Sequence, residues 1–473
     1  MVFTSCTFIF VFFPATVCTY YLLCKKYRNY FLFLASLIFY VWGKPSYIVL
    51  LLGSIVVNYL SARFIEHTNN ILLRKIELFL ALAYNIGLLF VFKYLNFIVL
   101  NLNAAFGSEV IQQTSIVLPI GISFYTFQGV SYVIDVFKKN INAQKNIIYF
   151  GLYISMFPQL VAGPIVRYTD IASDLADRNI SLDDFAEGVQ RFIVGFGKKI
   201  LIADMLGSVA DQIFTLGTDE LSVAVAWLGA VAYTLQIYFD FSGYSDMAIG
   251  LGRIFGFQFN ENFKDPYVSK SITEFWRRWH ISLSSWFRDY LYIPLGGNRK
   301  GNVYVNLFLV FLLTGVWHGA SWTFLFWGIW HGVFILVERF LRNYITVSVT
   351  KYTNFLRWAY SMLIVVLGWV FFRADTMTYA VGYIKAMFGV ADLNFIPFKV
   401  TYYLNARIGL ILIVACFCSM PIRNRVFDKV IRYFKNQDWV IEAGRCICYL
   451  TVFLLAVVSL VSGSYNAFIY FQF

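Results

Sequence analysis

Charged side chains are scarce in this sequence, because Asp, Glu, Lys and Arg make up only 14% of its 473 residues. Soluble domains usually carry about 25% charged residues, so the shortage argues against an ordinary water-soluble fold. The chain is 59% hydrophobic and 20% aromatic. The apolar residues fall in runs of about 18 or more, the length that crosses the hydrocarbon core of a bilayer. Because backbone polar groups in lipid must be satisfied within their own segment, we expect an all-α integral membrane protein.

Several motifs of cofactor-binding and hydrolytic proteins are also absent. None of the seven cysteines forms a C-x-x-C pair, so a thioredoxin-like or zinc-ribbon site is not expected. There is no Walker A sequence and no G-x-S-x-G elbow, which argues against P-loop and serine-hydrolase chemistry. Gly250, Gly252 and Gly256 do not make G-x-G-x-x-G, so a dinucleotide fingerprint is rejected. No two of the four histidines have metal-ligand spacing, and we expect no metal site.

The net charge of +12 has two interpretations. It could indicate a nucleic-acid partner, but Lys and Arg sit between the apolar runs, as the positive-inside rule describes for cytoplasmic loops. We therefore expect membrane lipid and no nucleic acid around this chain. The rule places the basic loops 258–300 and 421–445 in the cytoplasm and the C-terminal tail outside.

The apolar runs predict one membrane domain over residues 1–473, without internal repeats. The predicted spans are 5–23, 30–42 with 47–60, 78–100, 115–137, 146–166, 224–250, 303–341, 355–373, 403–420 and 446–461. The first run, from Val2 to Leu23, lacks a basic start and a cleavage site and predicts a retained span.

Three segments depart from simple crossings. Residues 303–341 are too long for one crossing and should hold two segments, or one broken at Gly315 or Gly319. Run 146–166 contains Pro158, Gly163 and Pro164 and predicts a broken or re-entrant segment. Segment 182–205 has apolar residues at helical spacing with charges between them and predicts a helix along the membrane surface.

His318 is the strongest candidate for chemistry. It lies deep in the run LLTGVWHGASWTFLFWGIWHG, where a lone histidine is usually a packing residue. Gly315 and Gly319 flank it and are expected to leave space beside the ring, and Thr314 lies one helical turn before it. A buried imidazole in such a place can serve as a general base near neutral pH.

His280 lies in the loop SITEFWRRWHISLSSWFRDYLYIPLGGNRKG, which is dense in charged and aromatic residues. Planar guanidinium groups bind phosphates well, and indole rings can stack on a purine. The loop therefore predicts a coenzyme-binding surface, although an interfacial aromatic belt with inside-facing positive charge explains the composition equally well. The candidate binding residues are Trp276, Arg277, Arg278, Trp279 and Arg288.

Several of these segments resemble one known family. Trp317-His318-Gly319, Trp330-His331-Gly332 and the long loop from Ser271 to Arg299 resemble the signatures of membrane-bound O-acyltransferases of the alginate O-acetylase type. YFDFSGYSDMAIGLGRIFGF, FPQLVAGPIVRY and SFYTFQGVSYVIDVF are also similar to that family. The signature-rich core spans about 120–340, and the remaining chain is similar mainly in the layout of its spans.

The resemblance implies a multi-span helical bundle with a central tunnel and re-entrant or interfacial helices, in a bacterial cytoplasmic membrane. His318 would be the catalytic base within the tunnel, and His280 would lie on its cytoplasmic side. Acetyl-CoA would be the donor, and an exported polysaccharide would receive the acetyl group. An outer-face partner of the SGNH-hydrolase type would complete the transfer.

The C-terminal segment, residues 446–473, adds a further clue. It holds the last predicted span and ends in Phe468-Ile469-Tyr470-Phe471-Gln472-Phe473, which reads F-x-Y-x-x-F. This resembles the tail of a small protein that accompanies the D-alanyl-transferring members of the family, whose tyrosine accepts the acyl group. By that resemblance Tyr470 is a candidate acyl carrier, while an interfacial aromatic anchor is the plainer explanation.

Two other functions stay open at this point. A D-alanyl transferase fed by a carrier-protein thioester would use similar residues. A transporter or flippase would need the polar residues of the 224–250 span, among them Asp240 and Asp246, to line a pathway. That second hypothesis leaves the W-H-G motif and the terminal tyrosine without a role.

Overall fold

Helices account for nearly all regular structure in the computed structural model. It describes residues 1–43, 45–344, 350–391, 395–422 and 438–463, and no strand occurs within these ranges. The α-helices are α1 Phe13–Leu22, α2 Lys25–Val41, α3 Ile48–His67, α4 Ile71–Leu89, α5 Leu95–Phe106, α6 Ile122–Phe137, α7 Ile147–Ser155, α8 Phe157–Leu160, α9 Tyr168–Ala176, α10 Leu182–Gly197, α11 Asp204–Phe214, α12 Val223–Ile254, α13 Ile272–Arg278, α14 Ile281–Phe287, α15 Val303–His318, α16 Trp322–Leu341, α17 Lys351–Arg373, α18 Met377–Met387, α19 Val400–Tyr403, α20 Ala406–Cys418 and α21 Asp438–Val461.

Short stretches of other helical geometry complete the fold. Wider π-helical turns lie at Phe8–Phe12, Phe90–Tyr94, Lys198–Ala203 and Arg288–Tyr292, and 3-10 turns lie at Pro45–Tyr47 and Pro266–Val268. Such turns are frequent near functional segments.

Six helical stretches within the described ranges are long and apolar enough to cross a bilayer, which confirms the helical membrane class. They are Pro45–His67, Ile71–Phe106, Val223–Ile254, Trp322–Leu341, Lys351–Arg373 and Trp439–Val461. The shorter apolar helices Phe8–Leu22, Val303–His318 and Ala406–Cys418 accompany them. The predicted division of 303–341 is confirmed, since α15 ends at His318 and α16 begins at Trp322. The predicted break in 146–166 is also confirmed, because α7 stops before Met156 and only the one-turn helix α8 follows.

The chain divides into two compact units, Met1–Phe192 with Ser245–Asn260, and Ile193–Tyr244 with Glu261–Phe473. In the first unit, α6 is buried along nearly its whole length and packs on α3 and α4. Asn58 of α3 and Asn85 of α4 exchange side-chain hydrogen bonds of 3.2 and 2.8 Å. Amide pairs of this kind link helices where no water is present to compete.

The second unit holds both candidate histidines and is built around the hairpin of α15 and α16. Glycines bring the two helices into close contact, because a Cβ at Gly315 would lie 2.5 Å from the carbonyl oxygen of Phe324 and 3.1 Å from Cα of Gly328. Small residues at helix crossings allow this approach in lipid. Helix α17 also packs on α16.

Candidate active site

His318 is the last residue of α15. The helix begins where Asn302 accepts hydrogen bonds from the backbone N–H groups of Tyr304 and Val305. It ends because Gly319 is extended, with φ −171° and ψ 160°. Helix α16 then starts at Trp322, and the hydroxyl of the preceding Ser321 accepts from the backbone N–H of Phe324. The imidazole therefore lies at the carbonyl end of a 16-residue helix, whose partial negative charge can stabilise positive charge that develops on the ring.

Aromatic rings surround His318, which is 5% exposed. Trp317 and Trp327 each contact it edge to face with centroids 4.9 Å apart, and Phe372 of α17 lies at 5.2 Å. Rings on three sides keep water away from the imidazole, which strengthens any electrostatic interaction made there.

The space that was expected beside His318 is filled. A Cβ at Gly319 would overlap the ring of Phe324, and Gly315 serves the close contact between α15 and α16. The glycines therefore admit α16 rather than leave a cavity, because two helices at this distance tolerate no side chain between them. The hydroxyl of Thr314 donates to the carbonyl oxygen of Val310 over 2.8 Å.

His280 lies in a tight turn between α13 and α14 and is fully buried. Its backbone is left-handed, with φ 44° and ψ 55°, a conformation that costs a residue other than glycine about 1–3 kcal/mol. Asn262, also fully buried, holds the turn from the other side. Its backbone carbonyl accepts from the N–H of Ile281 over 3.0 Å, and its Oδ1 accepts from the N–H of Ser282 over 3.1 Å.

The two ring nitrogens of His280 differ in their hydrogen bonding. Nδ1 lies 3.2 Å from Oδ1 of Asn262, whereas Nε2 is buried and has no hydrogen-bond partner among the described residues. Phe241 contacts the ring edge to face at 4.6 Å. Burial lowers the pKa of His280 to about 3, so the imidazole stays neutral at physiological pH.

The structure brings the two predicted catalytic histidines to one tryptophan. The ring centroid of Trp317 lies 6.2 Å from that of His280 and 4.9 Å from that of His318. A third histidine, His331, lies beyond Trp327 at 5.2 Å and is fully buried. Ring contacts through the two indoles of Trp317 and Trp327 thus connect the three histidines of the second unit.

The predicted coenzyme-binding tryptophans are packed inside the protein. Trp276 is 7% exposed and lies against Trp327 and His331. Trp279 is 3% exposed and stacks on Phe275. Neither indole has a face open to a purine in this structure, so their stacking on a coenzyme stays a prediction that would require the loop to rearrange.

The three predicted arginines differ in what they contact. Arg278 pairs with Glu274 at 2.9 Å, and Arg288 pairs with Asp289 at 2.7 Å. Arg277 is exposed, and within the described part of the chain its guanidinium has no ion pair. Of the three, Arg277 is therefore the one that is available to a phosphate without breaking a protein contact.

Sequence reasoning missed several polar residues that support this site. Asn262 is one. Glu338 of α16 is another, because its carboxylate accepts from the N–H groups of Ile272 and Thr273 and so holds the start of α13. Both lie far along the chain from the groups they bind, 18 residues for Asn262 and His280, and 66 residues for Glu338 and Ile272. A buried polar residue in an aromatic segment was the only signal available for either.

The two buried carboxylates of α12, Asp240 and Asp246, each form an ion pair with a basic side chain. Asp240 lies 2.8 Å from Nζ of Lys199, which also lies 2.7 Å from Asp204. Asp246, in the first unit, pairs with Arg191 at 2.6 Å. These ion pairs weaken the transporter hypothesis, because both carboxylates are held by protein cations.

Two other predictions, the acyl-carrier role of Tyr470 and the absence of a metal site, stay predictions. Tyr470 lies outside the described residues. No group of three or more His, Cys, Asp and Glu side chains that could hold a metal occurs in the described ranges.

A helical membrane protein with buried histidines beside a charged loop fits the class of membrane-embedded transferases. Residues 137–381 match the model of the membrane-bound O-acyltransferase family, MBOAT. The chain belongs to this family and is an acyltransferase, as the W-H-G motifs and the loop from Ser271 to Arg299 predicted.

Named relatives place it closer to one branch of the family. A probable alginate O-acetylase, AlgI, of Pseudomonas putida is 42% identical over 492 residues, which cover 100% of both chains. The peptidoglycan O-acetyltransferase of Helicobacter pylori is 34% identical over 520 residues, which cover 100% of this chain and 98% of the relative. The teichoic acid D-alanyltransferase of Bacillus subtilis is 31% identical over 218 residues, only 43% of this chain and 54% of the relative. The similarity to alginate O-acetylases along the whole chain confirms the predicted branch.

Proposed function

We propose that this protein moves an acetyl group from cytoplasmic acetyl-CoA across a bacterial cytoplasmic membrane, for O-acetylation of an exported cell-surface polysaccharide. The observation that carries the proposal is the placement of His280 and His318 on one buried tryptophan, Trp317. The similarity to alginate and peptidoglycan O-acetylating proteins extends over the whole chain and supports a polysaccharide acceptor.

In the proposed reaction His318 is the general base. It takes the phenolic proton of Tyr470, and the phenolate oxygen attacks the thioester carbonyl. As the new C–O bond forms, the C–S bond breaks and the coenzyme leaves as a thiolate, which is protonated in turn. The acetyl ester on Tyr470 is a reactive phenyl ester, and a phenol with a pKa of about 10 ionises more readily than a sugar hydroxyl.

His280 has a different role in this scheme. Because its pKa is about 3, it is a weak proton acceptor at physiological pH. The neutral ring instead offers Nε2 as a hydrogen-bond acceptor to the substrate. His318, at the helix terminus, then carries the proton.

Transfer to the polysaccharide requires a partner on the outer face. The predicted SGNH-hydrolase-like acetyltransferase would take the acetyl group from Tyr470 and deliver it to the polymer. In a variant of the scheme, His318 activates the acceptor hydroxyl directly and Tyr470 is not used.

D-alanyl transfer from a carrier-protein thioester is the competing activity. The shorter and weaker match to the D-alanyltransferase of Bacillus subtilis favours acetyl-CoA. Release of free thiol from acetyl-CoA and from a D-alanyl carrier thioester, each with the purified protein in liposomes, separates the two donors. We expect thiol release from acetyl-CoA and none from the D-alanyl carrier thioester.

The same assay tests His318. We expect His318→Gln to lower the rate at least about 100-fold, the contribution typical of a general base. His67→Gln is the matched control, because His67 is an exposed residue at the end of α3. Equal rates for the wild type and His318→Gln would contradict the proposed function.

A further inference from the structure

Three polar groups lie within hydrogen-bond distance of one oxygen atom of the buried Asn262 amide. The N–H of Ser282 and the hydroxyl of Ser282 reach Oδ1 over 3.1 and 2.9 Å. Nδ1 of His280 is the third contact, at 3.2 Å. A backbone N–H can only donate, so the Asn262 atom that it contacts must be the carbonyl oxygen and not the amide nitrogen.

This assignment fixes the proton on His280. The hydroxyl of Ser282 lies 3.4 Å from Nδ1 of His280 but donates to Oδ1 of Asn262 over the shorter 2.9 Å. Since Oδ1 of Asn262 accepts only, its 3.2 Å contact with Nδ1 assigns the ring hydrogen to that nitrogen. A neutral imidazole has one N–H, so Nε2 carries a lone pair. Nε2 is buried, and no described residue donates to it.

The backbone of the turn also depends on Asn262. The left-handed conformation of His280 is strained. The N–H of Ile281 donates to the backbone carbonyl of Asn262, and the N–H and hydroxyl of Ser282 both donate to its side-chain oxygen, so these three bonds hold the turn on Asn262. Strain of this kind persists only where surrounding contacts determine it. One residue therefore fixes both the direction of the ring and its tautomer.

We propose that Asn262 is a positioning residue that locks His280 as the Nδ1–H tautomer, so that Nε2 is presented to the substrate as a hydrogen-bond acceptor. Its target is an amide N–H of the acyl donor, because a thioester carries no S–H. The catalytic consequence rests on the proposed function, whereas the tautomer is a property of the protein alone.

Among the described residues, no titrating group contacts the ring of His280. The groups that contact it are Phe241 from α12, Asn262, Ser282 and Trp317 from α15, and none of them is charged. The nearest carboxylate along α12, Asp240, is paired with Lys199. Replacing Asn262 by Asp keeps an acceptor at Nδ1 and adds a negative charge beside the ring.

The experiment is ¹⁵N NMR of the full-length protein labelled at histidine, which gives signals from only four residues. The His280 signals are identified by their loss in His280→Gln. We expect the wild type to show a proton on Nδ1 and none on Nε2, with no titration between pH 5 and 8. A proton on Nε2 in the wild type would overturn the proposal without any variant.

Two substitutions at Asn262 separate positioning from simple packing. Asn262→Leu has a similar size and no acceptor, and we expect a mixture of tautomers and a rate of donor thiol release at least about tenfold lower. Asn262→Asp should keep the Nδ1–H tautomer and restore most activity at high pH. In that variant the acid limb of the pH–rate profile should move upward, because the carboxylate favours the protonated ring.

The outcomes also distinguish this inference from the proposed function. An Asn262→Leu protein that keeps a single Nδ1–H tautomer and full activity would overturn it. Should that variant fail to fold, as judged by size exclusion and its thermal midpoint, the wild-type spectrum and the Asn262→Asp profile decide the question. Failure to consume acetyl-CoA would contradict the proposed function and leave the tautomer assignment intact.

Discussion

His280 and His331 are both fully buried histidines of the second unit, but they lie in different kinds of surroundings. His280 lies in a strained turn, where its Nδ1 contacts Asn262 and its Nε2 has no hydrogen-bond partner among the described residues. His331 lies among aromatic rings, parallel to Phe275 and edge to face with Trp276 and Trp327. Burial alone therefore does not mark a catalytic histidine. A specific partner that binds one nitrogen and leaves the other without a hydrogen bond is the more informative feature.

The largest expected effect comes from exchanging each histidine for glutamine. We expect His280→Gln to lower the rate of acetyl-CoA consumption about 100-fold, because the oriented acceptor is lost. His331→Gln should lower it less than about tenfold and act mainly on stability, because its ring is used for packing. Rates measured on equal amounts of folded protein test this. A larger loss of rate in His331→Gln than in His280→Gln would contradict the different roles assigned to the two histidines.

The next effect concerns the packing around His331. A Cβ at Gly368 of α17 would lie 2.9 Å from Nε2 of His331, closer than such atoms normally approach. We expect Gly368→Ala to destabilise the protein by about 1–3 kcal/mol, as overpacking usually does. Thermal unfolding in detergent measures the loss.

Gly409→Ala provides the matched control for that substitution. Gly409 also lies within a helix, and a Cβ there would meet no atom within 4 Å. Its thermal midpoint should stay at or above that of the wild type, since alanine is the better helix former. A midpoint for Gly368→Ala equal to that of Gly409→Ala would show that His331 is loosely held.

The organisation of the fold could be predicted from the sequence, while the contacts of the site could not. Run length predicted that 303–341 holds two segments, or one segment broken at Gly315 or Gly319, because 39 residues are too many for a single crossing. The signature around His318 was recognisable because its residues are consecutive. The bond between Asn262 and His280 was not, because the loop between them has no periodicity that reports which residues meet. Trp276 and Trp279 could be identified as aromatic, but no pattern showed that their rings face inward.

A smaller effect should appear in the acid stability of the protein. In the unfolded chain His280 has an ordinary pKa near 6.5, whereas burial lowers it to about 3 in the fold. Above pH 6.5 His280 is neutral in both the folded and the unfolded protein, so its titration does not change the free energy of unfolding there. Below pH 6.5 only the unfolded chain gains the proton, so stability should fall by about 1.4 kcal/mol per pH unit toward pH 3.

His280→Gln isolates that contribution, since glutamine does not titrate. The variant should lose less stability than the wild type between pH 6.5 and pH 5, measured by thermal midpoints in the same detergent. Parallel curves for the two proteins would indicate that water or another proton donor reaches Nε2 in the folded state.

The smallest expected effect compares two neighbouring arginines. Arg277 is exposed without an ion pair in the described ranges, whereas Arg278 is held by Glu274 and by the carbonyl oxygen of Lys264. We expect Arg277→Gln to raise the KM for acetyl-CoA about threefold, the loss of a charge-assisted contact at an exposed site. Arg278→Gln should change it less. A larger rise for Arg278→Gln would mean that its ion pair opens to bind the donor.

The measurement that tests the account most directly is peptide mass spectrometry after incubation with labelled acetyl-CoA. Wild type, His318→Ala and Tyr470→Phe are compared. The account predicts label on the C-terminal peptide of the wild type and none in either variant, which would place His318 before an acetyl-Tyr470 intermediate. Absence of label from the wild type, with polymer acetylation still present and still dependent on His318, would contradict the tyrosine relay and leave direct transfer as the mechanism.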